Sequence, residues 1–189
     1  VSLRAGQFKP RLLAEESMSA SRQLLVDRSL VTRAFRPGYV QGIELSLESG
    51  EWAGWGVFTD GLADANRASL KRDTEWAFIG RVEWTPFESG RALRDFTSER
   101  GEAASLRFGA AVAIQEGEYG SPRGETRSMR WTADGAWEGD GCTFFAAVSG
   151  DRVEWRHRVV ERWGVVAQVG HRVTEATELA LRWEYGEVQ

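Results

Sequence analysis

The stretch GQFKPRLLAEESMSASRQLLVDRSLVTRAFRPGYVQGIELSL, residues 6–47, holds the end of one strand, an insertion at residues 10–38, and a second strand restarting at Tyr39. A connection of this length inside a compact domain is uncommon and is usually functional. Its apolar residues Leu24, Leu25 and Val31 are predicted to fold inward while its arginines face water, where they would line something anionic. The alternative is a short surface helix with solvated arginines.

Downstream of this stretch the sequence alternates with a period of two. Trp76, Phe78, Gly80, Val82 and Trp84 form an apolar stripe, and charged residues such as Arg81 lie at the intervening positions. Sustained alternation predicts strands with one apolar and one polar face. The same pattern recurs at residues 39–47, 52–60, 76–84, 106–114, 129–137, 142–148, 163–169 and 179–185. With a partial strand at residues 1–8, the sequence predicts an all-β fold of about nine strands and little helix.

The predicted connections alternate in length. Short turns at residues 48–51, 138–141 and 174–177 alternate with long connections at 10–38, 61–73, 116–126 and 150–161, and 85–101 is the exception. This puts the long loops at one end of an antiparallel up-and-down sheet, which is typical of transmembrane β-barrels. Predicted strands of about 9 to 12 residues are long enough to cross a hydrocarbon layer when tilted. A soluble β-sandwich that buries its apolar stripes is the alternative fold.

Composition limits the function classes. The net charge of −4 argues against nucleic acid as a partner. Only two of the 24 cationic residues are lysines, and the rest are arginines, which grip oxyanions with a bidentate fork. A single cysteine, Cys142, and two histidines, His157 and His171, predict no disulfide framework, metal site or cofactor. No apolar run approaches about 18 residues, and the start at Val1, in mid-strand, suggests a piece of a longer protein.

Specific motifs add a family resemblance. The run GQFK, then SASRQLLVDRSLVTRAFRPG at residues 19–38, and then the strand that opens at Gly42 resemble the phosphate-selective porin O and P family. GRVEWTPF at 80–87, WTADGAWEGDG at 131–141 and LALRWEYG at 179–186 look like later parts of that family's barrel. The resemblance covers nearly the whole chain, and its first block is the specific one.

The resemblance implies a trimeric β-barrel in the outer membrane of a Gram-negative-type cell. It implies passive diffusion of small anions, such as phosphate or polyphosphate, through a water-filled lumen. Residues 1–189 would be one region in the middle-to-late part of a larger barrel, with residues 10–38 as an infolded constriction loop. The expected anion-binding residues are Lys9, Arg22, Arg28 and Arg33 by motif, and Arg81, Arg107 and Arg182 by strand parity.

Two observations leave alternatives open. Glutamates share the predicted polar face with the arginines, and mixed charge weakens the field that would concentrate anions. A general porin therefore remains an alternative, and so does pairing of each wall arginine with a neighbouring glutamate. The second function hypothesis is a soluble carbohydrate-binding or glycoside-hydrolase-like sandwich. No catalytic motif supports an enzyme.

Overall fold

Nine antiparallel strands form one sheet in the computed structural model, which describes residues 1–62, 72–87, 96–119, 124–155 and 158–188. Each strand pairs with its neighbour in the sequence, so the topology is up-and-down, as predicted. Among the described strands, the first and the last are the two edges of an open sheet. The strands are β1 (Ser2–Phe8), β2 (Val40–Ser49), β3 (Trp52–Thr59), β4 (Arg72–Trp84), β5 (Ser105–Tyr119), β6 (Gly124–Gly139), β7 (Cys142–Trp155), β8 (Arg158–Thr174) and β9 (Thr177–Val188).

The helical residues of the described chain all lie between β1 and β2, in residues 9–39, which we call the inserted segment. It contains helix α1 (Ala14–Ser17), a 3₁₀ turn (Ala20–Arg22) and helix α2 (Leu30–Phe35). Ser29 caps α2, because its hydroxyl accepts a hydrogen bond from the Thr32 amide at 2.9 Å. The predicted insertion at 10–38 lies within this segment.

Tight turns join several of the strands. Between β6 and β7, Asp140 and Gly141 have φ values of +47° and +76°. Positive φ at both central residues is the signature of a type I′ turn, whose twist matches that of the strands it joins. Gly50, with φ of +58°, begins the equally short turn between β2 and β3.

Two of the predicted long connections are wrong. β5 continues to Tyr119 and β6 begins at Gly124, while β7 continues to Trp155 and β8 begins at Arg158. β5 to β8 therefore span 14 to 17 residues each, longer than predicted. The apolar stripes stop before these strand ends, but backbone hydrogen bonding between strands does not require apolar side chains. The predicted connections at 61–73 and 85–101 are described only in part, since 63–71 and 88–95 lie outside the described residues.

The two faces of the sheet differ sharply. One face, which we call the covered face, lies under the inserted segment, and the core forms there between segment residues such as Leu12, Val31 and Phe35 and strand residues such as Ile79 and Phe145. α2 lies against β7, β8 and β9. The other face, the open face, carries the apolar stripes, and the burial pattern confirms the predicted face assignments strand by strand.

Candidate functional site

The open face is apolar and exposed. Phe108 is 47% exposed and Leu181 is 70% exposed, and the described residues contain no second sheet over them. Many large apolar side chains share this exposure, including Ile43, Leu45, Phe58, Phe78, Val82, Val112, Trp131, Phe144, Val169 and Trp183. Within the described part of the chain, the open face thus carries no second layer of the kind that a β-sandwich places on its apolar stripes.

Aromatic rows and charged pairs border this apolar surface. Trp84 stacks between Trp52 and Phe108, with ring centroids 5.9 and 6.0 Å apart. The ring centroids of Trp163 and Tyr185 lie 5.5 Å apart on the same face. Beyond that second pair the open face becomes charged. There Arg152 pairs with Glu154 at 2.9 Å and with Glu161 at 3.2 Å. The apolar surface is therefore a band with polar margins.

On the covered face, Arg81 is the centre of a buried ion network. Its guanidinium makes two 2.9 Å bonds to the carboxylate of Asp134, and both side chains are almost fully buried, at 1% and 0% exposure. It also donates to Glu83 at 2.7 Å and to the backbone carbonyl of Leu12 at 3.2 Å. The Arg81 guanidinium is thus already bound by protein groups. It fixes the start of the inserted segment to β4 and β6.

Gly109 of β5 makes this network possible. β5 lies between β4 and β6, so the Arg81 side chain must cross it to reach Asp134. A Cβ at Gly109 would come within 2.2 Å of Arg81 Nη2 and 2.8 Å of Asp134 Oδ1. Only a residue without a side chain leaves room for the crossing.

We expect Gly109→Ala to lower the free energy of unfolding by about 1–3 kcal/mol, because the added methyl displaces the Arg81 guanidinium from its carboxylate. Gly56→Ala is the matched control, since a Cβ there would meet no atom within 4 Å. The measurement is urea unfolding of both variants in detergent micelles. Equal midpoints for the two variants would contradict the assignment of Gly109 to this crossing.

Arg182 and Glu184 of β9 hold the middle of the inserted segment. Arg182 donates to the Asp27 carbonyl at 2.7 Å and contacts the Glu15 carboxylate at 3.3 Å. Glu184 accepts hydrogen bonds from the first amides of α2, Leu30 at 2.6 Å and Val31 at 3.2 Å. A carboxylate at this position satisfies amides that have no partner within the helix. Both side chains therefore anchor the segment to the sheet.

Arg130 of β6 holds the end of the segment. It donates to the Phe35 carbonyl at 2.9 Å, and its guanidinium lies 3.6 Å from the Asp151 carboxylate. Arg162 of β8 forms a two-bond pair with the same carboxylate and lies over the Phe35 ring at 5.8 Å. β4, β6, β8 and β9 thus each contact the inserted segment through an arginine.

Inside the segment, Arg28 and Glu15 tie its two halves together. Arg28 donates to the carbonyls of Met18 at 2.8 Å and Glu15 at 3.3 Å. The buried Glu15 carboxylate accepts from the Ser29 amide at 2.9 Å and from the Ser29 hydroxyl. These bonds give the segment a defined shape of its own.

The other sequence-predicted site residues are not gathered at one point. Arg22 and Arg33 are exposed on the segment, as predicted. The Lys9 ammonium lies 5.2 Å from the centre of the Tyr39 ring, and Arg107 is buried on the covered face. Of the seven predicted residues, Arg28, Arg81 and Arg182 hold the segment in place, and Arg22 and Arg33 face solvent.

Glu16 of α1 is a buried acid of the inserted segment. It is 3% exposed, and its Oε2 atom has no hydrogen-bond partner among the described residues. Burial raises the pKa of this carboxyl from 4.5 to about 7, against the opposing charges of Lys9, Arg36, Arg28 and Arg130. Glu16 therefore changes charge near neutral pH.

Sequence reasoning missed several residues that position the segment, including Glu15, Arg130, Asp134, Asp151 and Glu184. Strand parity placed Arg130, Asp134 and Glu184 on the polar face but could not identify their partners. Glycines on that face were the available signal. A Cβ at Gly170 would lie 2.5 Å from Leu24 Cδ1, and one at Gly164 would lie 3.1 Å from Val31 Cγ2, so both glycines make room for the segment.

Comparisons with known proteins add no assignment. A scan against family models, a search of curated proteins and a search of solved structures each found no match. In the described ranges, no group of three or more His, Cys, Asp or Glu side chains is arranged to hold a metal ion. Nor does any described helix have the length and apolarity needed to span a membrane. The two faces of the sheet are therefore the features from which a function can be inferred.

Proposed function

We propose that this chain is part of the wall of an outer-membrane porin, through which small anions such as phosphate diffuse passively across a water-filled lumen. The observation that supports this most is the exposed apolar band on the open face, opposite a charged face that an inserted segment covers. In this assignment the open face contacts lipid and the covered face contacts the lumen. The cell compartment would be the outer membrane of a Gram-negative-type cell.

The dimensions of the band support lipid contact. From Trp76 to Trp84 the apolar stripe of β4 covers eight residue steps, or about 27 Å along the strand. A tilt of about 40° reduces its height to about 20 Å, near the roughly 25 Å apolar band of outer-membrane barrels. Its aromatic margins correspond to the girdles at membrane interfaces. A soluble monomer rarely exposes an apolar patch beyond about 600 Å².

The proposed barrel needs more strands than those described. Edge strands in lipid must be paired, because no water is present to satisfy their backbone groups. β1 and β9 run in the same direction, since seven alternating strands lie between them. An antiparallel closure therefore needs an odd number of further strands between β9 and β1. Assembly as a homotrimer is a further part of the proposal and follows the family resemblance.

The inserted segment would narrow the lumen. Residues 9–39 contain six cationic and three acidic side chains, so the segment is positive within an acidic chain. Cationic side chains are the usual lining of anion pores, where they replace part of the hydration of the ion and still release it. The structure suits Arg22 and Arg33 to this role, because they are exposed, whereas Arg28, Arg81 and Arg182 are engaged in holding the segment.

A double variant, Arg22→Gln with Arg33→Gln, tests the anion part of the proposal. We expect the anion-to-cation permeability ratio to fall roughly threefold, because two positive charges leave the lumen. The measurement is the reversal potential of single channels in a salt gradient, with phosphate titrated in as a blocker. Arg152→Gln is the matched control, since this exposed arginine lies on the open face, outside the lumen. Cation preference in the wild type would refute the anion pore.

A further inference from the structure

Glu16 and the cations that act on it form a charge cluster in the inserted segment and at Arg130 of β6. We propose that Glu16 is a proton-controlled counter-ion, which sets how strongly the inserted segment attracts anionic solutes. This inference rests on the proposed porin function and adds its regulation by pH. Its geometric basis is a nearly inaccessible carboxylate on α1 with one oxygen that lacks a hydrogen-bond partner among the described residues.

The charged groups that act on Glu16 come from three parts of the fold. Lys9 precedes α1, Arg28 and Arg36 lie later in the segment, and Arg130 reaches it from β6. Arg28 and Arg130 are held by bonds to backbone carbonyls, which fix their positions without neutralising their charge. Arg130 also interacts with Asp151, which is shared with Arg162.

Glu15, the neighbouring acid, does not replace Glu16 in this cluster. Its carboxylate is already engaged by Ser29 and by Arg182 of β9. Glu16 is therefore the acid available to balance the four cations. When it is ionised, it offsets one positive charge of the cluster, and when it is protonated, the cluster carries one more net positive charge toward the solute.

The direction of the pH effect follows from the raised pKa of about 7. Below neutral pH the Glu16 carboxyl is protonated and neutral, so the cluster attracts anions most strongly. As the pH rises through about 7, the carboxylate forms and competes with the solute for the same cations. Anion preference should therefore be high in acid and lower in alkali.

The test compares wild type, Glu16→Gln and Asp27→Asn by reversal potential in planar bilayers between about pH 5 and about pH 9. For the wild type we expect the anion-to-cation ratio to be roughly threefold higher at the acid end, with a midpoint near 7. Glu16→Gln should keep the acid-end ratio at every pH. Asp27→Asn removes an exposed acid from the same segment and should keep the wild-type pH step.

Several results would overturn the inference. One is a conducting wild-type pore whose ion preference does not change with pH, and another is a Glu16→Gln variant that keeps the wild-type step. If Glu16→Gln does not fold, Glu16→Asp should move the midpoint, and an unmoved midpoint counts against the inference.

A measurement without ion flow separates this inference from the porin proposal. The carboxyl stretching band of Glu16, followed by infrared difference spectroscopy of the folded protein, should titrate near pH 7. Titration near the ordinary value of about 4.5 would reject the inference even if the protein conducts. A protein that shows the shifted titration but never conducts would reject the porin instead.

Discussion

Replacing Arg81 by Met is expected to lower the free energy of unfolding by about 3–5 kcal/mol, the largest effect of any single substitution considered for this chain. The reason is that Asp134, whose side chain is 0% exposed, would remain as a buried carboxylate without its two guanidinium bonds. The Leu12 carbonyl would lose a donor at the same time, which loosens the start of the inserted segment. The measurement is urea unfolding in detergent, followed by tryptophan fluorescence.

A double variant shows whether the loss comes from the stranded carboxylate. Arg81→Met combined with Asp134→Leu should recover most of the stability, because well-packed apolar residues replace a buried ion pair at little net cost. An arginine that only lined a watery pore would behave differently, since substitutions of exposed residues usually change stability by less than about 0.5 kcal/mol. A small loss of unfolding free energy in the single variant would instead support Arg81 as a pore-lining residue.

The second large effect concerns two valines of β8. Val169 lies inside the apolar band and Val159 beyond it, on the same face, with similar exposures of 44% and 50%. If the open face contacts lipid, Val169→Arg should cost about 2 kcal/mol or more, while Val159→Arg should cost less than about 1 kcal/mol. In water both substitutions would be nearly neutral.

The measurement is reversible folding of both valine variants into lipid vesicles. Because residue type, strand and face are the same, the pair isolates depth in the membrane from all other variables. Equal costs for the two variants would contradict a lipid-contacting band that includes Val169 and excludes Val159.

Sequence reasoning predicted the faces of the strands because a period of two fixes them. Once Trp84 and Leu181 were assigned to the apolar side, Arg81 and Arg182 had to lie on the other. The insertion was equally visible, since Pro10 and Pro37–Gly38 interrupt the alternation. These features depend only on which residues follow one another along the chain.

What sequence reasoning could not supply depends on contacts between distant residues. Parity puts Arg81 and Asp134 on one face but does not show that they meet across β5 at Gly109. The segment was expected to keep its charges in water, yet Glu15 and Glu16 are buried and Arg28 binds carbonyls, because the segment packs against the sheet. The end of β5 was missed since residues 115–118, Gln-Glu-Gly-Glu, leave no apolar stripe there.

One measurement tests the central claim, that the open face meets lipid while the covered face meets water. Leu181 and Ala180 are neighbours on β9 that point to opposite faces, and both are exposed. A nitroxide label is placed at each position in turn, with Cys142 replaced by Ser, and the protein is folded into lipid vesicles. The label at 181 should be relaxed by oxygen from the lipid, and the label at 180 by a water-soluble paramagnetic reagent. Water accessibility at both positions would contradict the account.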